Sequence, residues 1–127
     1  MDKINYKYEW IKMAIKETDF SRLNEKLVDD PSAKFFICMR NIPTYVKNEM
    51  IMECPVLSPS NKLANNYRLG LIEPCQFYTN YYNELKSPIC QELIKSIQSM
   101  SQNYDIYIVT INKDARLLLL DILKNIK

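Results

Sequence analysis

The 127-residue chain contains no histidine and a single glycine, Gly70. Without histidine, it lacks the usual general base near neutral pH and the commonest metal ligand. It also cannot form a Ser-His-Asp or Cys-His nucleophile system within itself. With one glycine, it cannot build the glycine-rich phosphate loops of nucleotide-binding proteins. Its turns must therefore rely on Asn, Asp, Pro and Ser.

The four cysteines are widely spaced and form no C-x-x-C pair. Structural zinc sites usually draw their ligands from such close pairs. We therefore expect no metal site, no cofactor, and reduced thiols that pack as small apolar groups. The N-terminal region is polar and charged, without the apolar centre of a signal peptide, and no apolar run is long enough to span a membrane. These features predict a cytoplasmic protein with no membrane partner.

The net charge is +2, from 17 basic and 15 acidic residues that are mixed along the chain. Nucleic-acid-binding proteins usually cluster Lys and Arg on one face, so we expect no nucleic-acid partner. Apolar residues make up 47% of the chain, which is enough for a hydrophobic core. The length suits one domain, and we predict a single domain over residues 1–127.

Three segments have the composition of strands. Residues 4–11 alternate apolar and polar side chains, which favours a strand, although the same region also fits one face of a helix. Residues 34–40 (KFFICMR) and 104–111 (YDIYIVTI) are apolar runs typical of strands covered on both faces. A further segment, Met50–Glu53, fits either a short helix or a minor strand.

Helical patterns fill the segments between these strands. Each predicted helix begins at a capping residue or a proline, the residue types that favour a helix start. The predicted starts are Thr18 or Asp19, Ser58-Pro59, Pro74, Ser87-Pro88 and Asp114. The helix after Ser87 should bury Ile89, Leu93, Ile97 and Met100. The last helix is apolar on most sides, so it must pack against the sheet or against another chain.

The order strand, helix, strand, several helices, strand, helix predicts an α/β fold. We expect a small, mostly parallel sheet of about three strands, covered by helices and joined by right-handed crossovers. In such sheets, ligands bind beyond the carboxyl ends of the strands. Here those ends are Met39–Pro43 and Ile111–Asp114.

Four short stretches between residues 34 and 124 resemble the YeaO-like proteins, a domain-of-unknown-function family. They are FICMRNIP, LSPSNKLANNYRLG, FYTNYYNEL and IYIVTINKDARLLLLDIL. The shared pattern is an apolar strand ending in Arg with Pro shortly after, an Ala-Pro-Ser-like helix start, an aromatic-rich helix that closes on a Tyr-x-x-Glu-Leu element best placed on Tyr81, and a final strand running into the last helix. The resemblance implies a single YeaO-like α/β domain over residues 1–127.

The chain departs from the family where chemistry would be expected. Related proteins commonly place an acidic residue before the strand-end arginine, where this chain has Met39. The family often carries a Cys and Glu pair and a Cys-His-Arg run after the last strand, and only Arg116 matches these groups. The resemblance therefore implies a fold and a site location, and the departures argue against catalysis.

The sequence leaves functions of different classes open. The leading prediction is a non-catalytic interaction or regulatory protein, forming a homo-oligomer or binding a protein partner, because the apolar last helix and the tyrosines suit an interface. The alternative is a ligand-binding protein or enzyme for a small anion, a phosphate or carboxylate compound, at the strand ends. Its candidate ligand-binding residues are Arg40, Ser58, Ser60, Lys113 and Arg116.

A third hypothesis is an enzyme that uses carboxylates as acid or base. The candidate carboxylates are Glu49, Glu53, Glu84 and Asp114. No two of them stand at a spacing that forces them together, so no catalytic residue is assigned.

Overall fold

The computed structural model describes residues 15–42, 49–110 and 112–125. Its four strands are β1 (Ile15–Asp19), β2 (Lys34–Ile37), β3 (Ile51–Glu53) and β4 (Ile106–Thr110). They form one sheet in the order β1-β4-β2-β3, and all neighbouring pairs are parallel. The predicted α/β fold with a small parallel sheet is therefore confirmed.

Five α-helices connect and cover the strands. They are α1 (Leu23–Asp29), α2 (Asn61–Arg68), α3 (Pro74–Glu84), α4 (Pro88–Met100) and α5 (Lys113–Asn125). Short 3₁₀ helices occupy Phe20–Arg22 and Pro55–Leu57. The three helices α2, α3 and α4 all lie between β3 and β4, which is the helix-rich middle that the sequence predicts.

The sheet separates two clusters of buried side chains. Phe36 and Ile108 face the larger cluster, which also contains buried residues of α2, α3, α4 and α5. Phe35 and Tyr107 face the smaller cluster, to which α1 contributes Leu23. The rings of Phe35 and Tyr107 stack with their centroids 4.8 Å apart. Because strand side chains alternate between faces, the continuous apolar runs of β2 and β4 supply both clusters.

The strand boundaries differ from the sequence-based prediction at several places. The predicted strand over residues 4–11 lies outside the described residues, and the structure has β1 at Ile15–Asp19. That segment, IKETD, is mostly polar, so it lacks the alternation of apolar and polar side chains that indicates a strand. The segment Met50–Glu53 contains a strand, β3, which makes four strands in place of about three. β2 ends at Ile37 rather than Arg40, and β4 begins at Ile106 rather than Tyr104, whereas the predicted end of β4 at Ile111 lies outside the described residues.

Two helices begin later or are capped differently than predicted. The N-cap of α2 is Ser60 rather than Ser58, because the Ser60 hydroxyl accepts a hydrogen bond from the Leu63 amide at 3.2 Å. Asn112 caps α5, since its Oδ1 accepts from the Ala115 amide at 3.1 Å, and Asp114 lies within the first turn. In both cases the cap is the side-chain oxygen that reaches an unpaired amide of the first turn.

The buried faces of the last two helices depend on their phase. On α4, Cys90, Ile94 and Ile97 are buried, whereas Ile89 is 58% exposed, so the prediction that Ile89 points inward is wrong. On α5, Leu119 and other apolar residues are buried against β1 and β4, so the helix packs against the sheet, one of the two predicted packings. None of the helices in the described ranges is long and apolar enough to cross a membrane.

Replacing Ile97 by Ala should lower the free energy of unfolding by about 2–5 kcal/mol, because a fully buried side chain leaves a cavity. Ile89→Ala on the same helix is the matched control and should change it by less than about 0.5 kcal/mol. Urea denaturation followed by circular dichroism measures both values. Equal losses of stability in the two variants would contradict the finding that Ile97 lies on the buried face of α4 and Ile89 does not.

Candidate functional site

A crevice of about 180 Å³ lies beyond the carboxyl ends of β2 and β4. We call it the strand-end crevice. Its described lining comes from the residues after β2, the segment that leads into α2, and the end of β4 with the start of α5. These residues are Cys38, Met39, Arg40, Asn41, Ser58, Pro59, Asn61, Ala64, Thr110, Asn112 and Ala115. This is the edge at which open parallel sheets bind ligands.

Ser58 and Pro59 line one side of the crevice, and they form the middle of the segment Leu57–Ser60, which we call the anchored segment. Arg40 reaches it from the end of β2 with two charged donors. Its Nε donates to the Pro59 carbonyl at 3.2 Å, and its Nη2 donates to the Ser58 carbonyl at 3.0 Å. Arg40 therefore has a structural contact and still lines the crevice.

Tyr81 of α3 holds the beginning of the anchored segment. Its hydroxyl donates to the Leu57 carbonyl at 2.5 Å, and its side chain is fully buried. Burial raises the pKa of Tyr81 well above its ordinary value, because the phenolate would be poorly solvated. The phenol therefore stays protonated and remains a donor throughout the ordinary pH range.

Glu84 of α3 holds the end of the anchored segment. Its Oε1 accepts from the Ser60 amide at 2.8 Å, and its Oε2 accepts from the Ser60 hydroxyl at 2.6 Å. A carboxylate at a helix N-terminus interacts favourably with the helix dipole. The donors of Ser60 are thus occupied by Glu84, and Ser60 is absent from the described lining of the crevice. Its predicted contact with a ligand has no support in this geometry.

Thr110 and Asn112 line the crevice where β4 ends and α5 begins. The Thr110 hydroxyl donates to the Asn112 carbonyl at 3.0 Å, which fixes the turn between β4 and α5. Because Oδ1 of Asn112 accepts from Ala115, the NH₂ group of the same amide is left as a donor. Asn112 is not among the predicted site residues, although an Asn between an apolar strand and an apolar helix is an N-cap signal.

The structure does not bring the other two predicted basic residues into the described lining of the crevice. Arg116 is only 8% exposed, and its Nε forms an ion pair with Oε1 of Glu17 on β1 at 2.5 Å. Its Nη1 is buried and has no hydrogen-bond partner in the described part of the chain. Lys113 is exposed at the start of α5. Of the five predicted residues, Arg40 and Ser58 therefore line the crevice.

The carboxylate of Asp114 has a structural partner outside the crevice. The Tyr67 hydroxyl donates to its Oδ2 at 2.7 Å, and this hydrogen bond raises the pKa of Tyr67 to about 12. The ring of Tyr67 also stacks on Phe77, with centroids 4.2 Å apart. Asp114 lies in the first turn of α5, so the N-terminus of this helix also carries a negative side chain.

Comparison with known proteins gives no match to a family model, to a curated protein or to a solved structure. The resemblance to YeaO-like proteins stays a prediction. The geometry does give the Tyr-x-x-Glu-Leu element a physical role, because Tyr81 and Glu84 hold the two ends of the anchored segment and Leu85 is buried beneath them.

The lining offers little for acid–base or nucleophilic chemistry. Cys38 is almost fully buried, and burial raises the pKa of its thiol well above its ordinary value. A neutral thiol is a poor nucleophile. The candidate carboxylates are absent from the described lining, and within the described ranges no group of three His, Cys, Asp or Glu residues could hold a metal ion.

Tyr81→Phe should lower the free energy of unfolding by about 1–3 kcal/mol, because it leaves the Leu57 carbonyl without its donor inside the core. Tyr82→Phe on the same helix removes the same atom from a side chain that is 43% exposed, and it should have a much smaller effect. Chemical denaturation of both variants provides the measurement. If the two losses are equal, the hydrogen bond to Leu57 is not what holds the segment.

Glu17→Gln should lower the free energy of unfolding by about 1–3 kcal/mol, because the buried Arg116 would lose its counter-charge. Glu25→Gln breaks an ion pair with Arg22 on the surface of the molecule and should leave stability nearly unchanged. Thermal unfolding at matched salt compares the two variants. If the Glu17→Gln protein is as stable as the Glu25→Gln protein, the ion pair between Arg116 and Glu17 does not stabilise the fold.

Proposed function

We propose that the protein is a non-catalytic binding protein for a small anion, with its site in the strand-end crevice. The observation that carries the proposal is that Arg40 is the only charged side chain in the described lining. Its positive charge therefore meets no carboxylate within that lining. A ligand with a negative charge would supply the missing partner, and a planar guanidinium is well suited to bind it.

The hydrogen bonds of Arg40 leave one edge of the guanidinium available. Nε and Nη2 donate to the carbonyls of Pro59 and Ser58, which occupy the side edge of the group. An arginine has five N–H donors, so both N–H groups of Nη1 and the second one of Nη2 remain. Two of these form the end edge, which can bind two oxygens of one anion. The NH₂ group of Asn112 adds a neutral donor to the described lining.

The proposal omits catalysis because no described lining residue offers a suitable acid, base or nucleophile. A general acid or base must lie within hydrogen-bond reach of the reacting group. Glu84 is instead bonded to Ser60, and Asp114 to Tyr67. The Cys38 thiol is held neutral by burial, as its raised pKa indicates.

The proposal keeps the non-catalytic part of the leading sequence-based prediction and takes anion binding from the alternative. The apolar residues of α5 were one reason to expect a homo-oligomer or protein partner. Several of them, including Leu119, Ile122 and Leu123, are buried within this chain, so the pattern no longer needs a partner to explain it. A protein partner and a cytoplasmic location stay predictions from the sequence.

Asn112→Asp should weaken anion binding strongly while preserving the fold. Asp is as good an N-cap as Asn, so the bond from the Ala115 amide and the start of α5 are retained. The new carboxylate would add a negative charge to the lining of the crevice and repel an anion. We expect the affinity for acetate and for inorganic phosphate to fall at least tenfold, measured by ¹H–¹⁵N NMR titration at low ionic strength. Unchanged titration curves in this variant would show that the anions do not bind in the crevice.

Arg40→Gln provides the complementary test. Loss of a charged hydrogen bond to the ligand costs about 1.5–3 kcal/mol, which weakens binding roughly 10–150-fold. Lys95→Gln removes one positive charge from an exposed position on α4 and is the control for a general electrostatic effect. Because Arg40 also holds the anchored segment, the thermal stability of the variant must be measured beside its affinity.

A further inference from the structure

The two helix N-termini that border the strand-end crevice already carry negative side chains. At α2, the carboxylate of Glu84 accepts from both the amide and the hydroxyl of Ser60. At α5, Asp114 lies in the first turn. Phosphate sites at helix N-termini use the positive end of the helix dipole. Here a carboxylate already compensates that end in both helices, so within the described lining the positive charge is that of Arg40.

Several backbone donors of these first turns are also occupied. The Ser60 amide donates to Glu84, the Leu63 amide donates to the Ser60 hydroxyl, and the Ala115 amide donates to Oδ1 of Asn112. A phosphate ester carries about 1.5–2 negative charges near neutral pH, and it needs several donors to replace its hydration. A carboxylate carries one negative charge and has two oxygens. The single guanidinium edge of Arg40 matches the carboxylate in both charge and geometry.

The remaining polar groups of the described lining are uncharged. They are the side chains of Asn41, Ser58, Asn61, Thr110 and Asn112. Amides and hydroxyls both donate and accept, so they suit neutral hydroxyl or carbonyl groups on a ligand. The crevice volume of about 180 Å³ equals roughly six waters at about 30 Å³ each, which fits a molecule of a few carbon atoms.

We infer that the crevice selects small carboxylates of charge −1 that carry hydroxyl or carbonyl groups, in preference to phosphate esters of similar size. The inference rests on the proposed anion-binding function and narrows it to one ligand class. The guanidinium edge holds the carboxylate, and the neutral side chains bind the hydroxyl or carbonyl groups. Selection against phosphate follows from Glu84 and Asp114, which place negative charge at both neighbouring helix ends.

Glycerate, glycerol 3-phosphate and glycerol provide the test, because all three have a three-carbon chain with hydroxyl groups and differ in their charged group. We expect isothermal titration calorimetry at low ionic strength to show glycerate binding at least tenfold tighter than glycerol 3-phosphate, with no detectable binding of glycerol. Asn112→Asp should weaken the binding of glycerate at least tenfold. Lys95→Gln should leave it unchanged.

A second variant tests the neutral side chains separately. Asn61 is exposed at the first position of α2, so Asn61→Ala should not disturb the fold. It should weaken glycerate several-fold and leave acetate, which has no hydroxyl, unchanged. Arg40→Lys keeps the positive charge but loses the planar pair of donors, so it should weaken the binding of glycerate.

The outcomes separate the two proposals. If glycerol 3-phosphate binds as tightly as glycerate or more tightly, and Asn112→Asp weakens it, the ligand class is overturned while anion binding in the crevice stands. If Asn61→Ala weakens acetate and glycerate equally, the assigned role of the neutral side chains is wrong. If none of the anions binds, both the ligand class and the proposed function fail.

Discussion

The strand-end crevice depends on the attachment of the anchored segment, Leu57–Ser60, to two other parts of the chain. Tyr81 and Glu84 hold its ends from α3, and Arg40 holds its middle from the end of β2. The segment joins a 3₁₀ helix to α2, so its backbone groups cannot all find partners in regular secondary structure. Side chains satisfy them instead. The position of α2, and with it one wall of the crevice, follows from these bonds.

The same bonds limit the chemistry of the site. The Glu84 carboxylate that secures Ser60 also places a negative charge at the N-terminus of α2. One edge of the Arg40 guanidinium donates hydrogen bonds to backbone carbonyls, and the donors of its other edge remain available. The described lining of the crevice therefore has one positive charge, a set of neutral donors and acceptors, and a neutral buried thiol, Cys38. This combination supports the proposed recognition of a weakly charged ligand.

Much of the architecture could be predicted from local patterns. The apolar runs of β2 and β4 and the starts of α3 and α4 at Pro74 and Pro88 are visible in the sequence, because burial on both faces and N1 proline act within a few residues. β1 was missed, since its segment is mostly polar and becomes a strand by pairing with β4. The inward prediction for Ile89 failed because the helix phase is set by the deeper residues Ile94 and Ile97.

The candidate site also combines features that local sequence predicts with features that depend on long-range packing. The position of Arg40 after an apolar strand is a local feature, and it was enough to locate the carboxyl edge of the sheet and the residue that faces the crevice there. The roles of Ser60 and Arg116 depend on partners distant in the chain, Glu84 and Glu17, which meet them only when helices and sheet pack together. Arg40, Ser60 and Arg116 were all predicted to lie at the same edge of the sheet. In the structure they are an exposed cation, an N-cap serine bonded to a carboxylate, and a member of a buried ion pair. Long-range packing makes this distinction, because a charged side chain pairs with whichever opposite charge the fold brings to it.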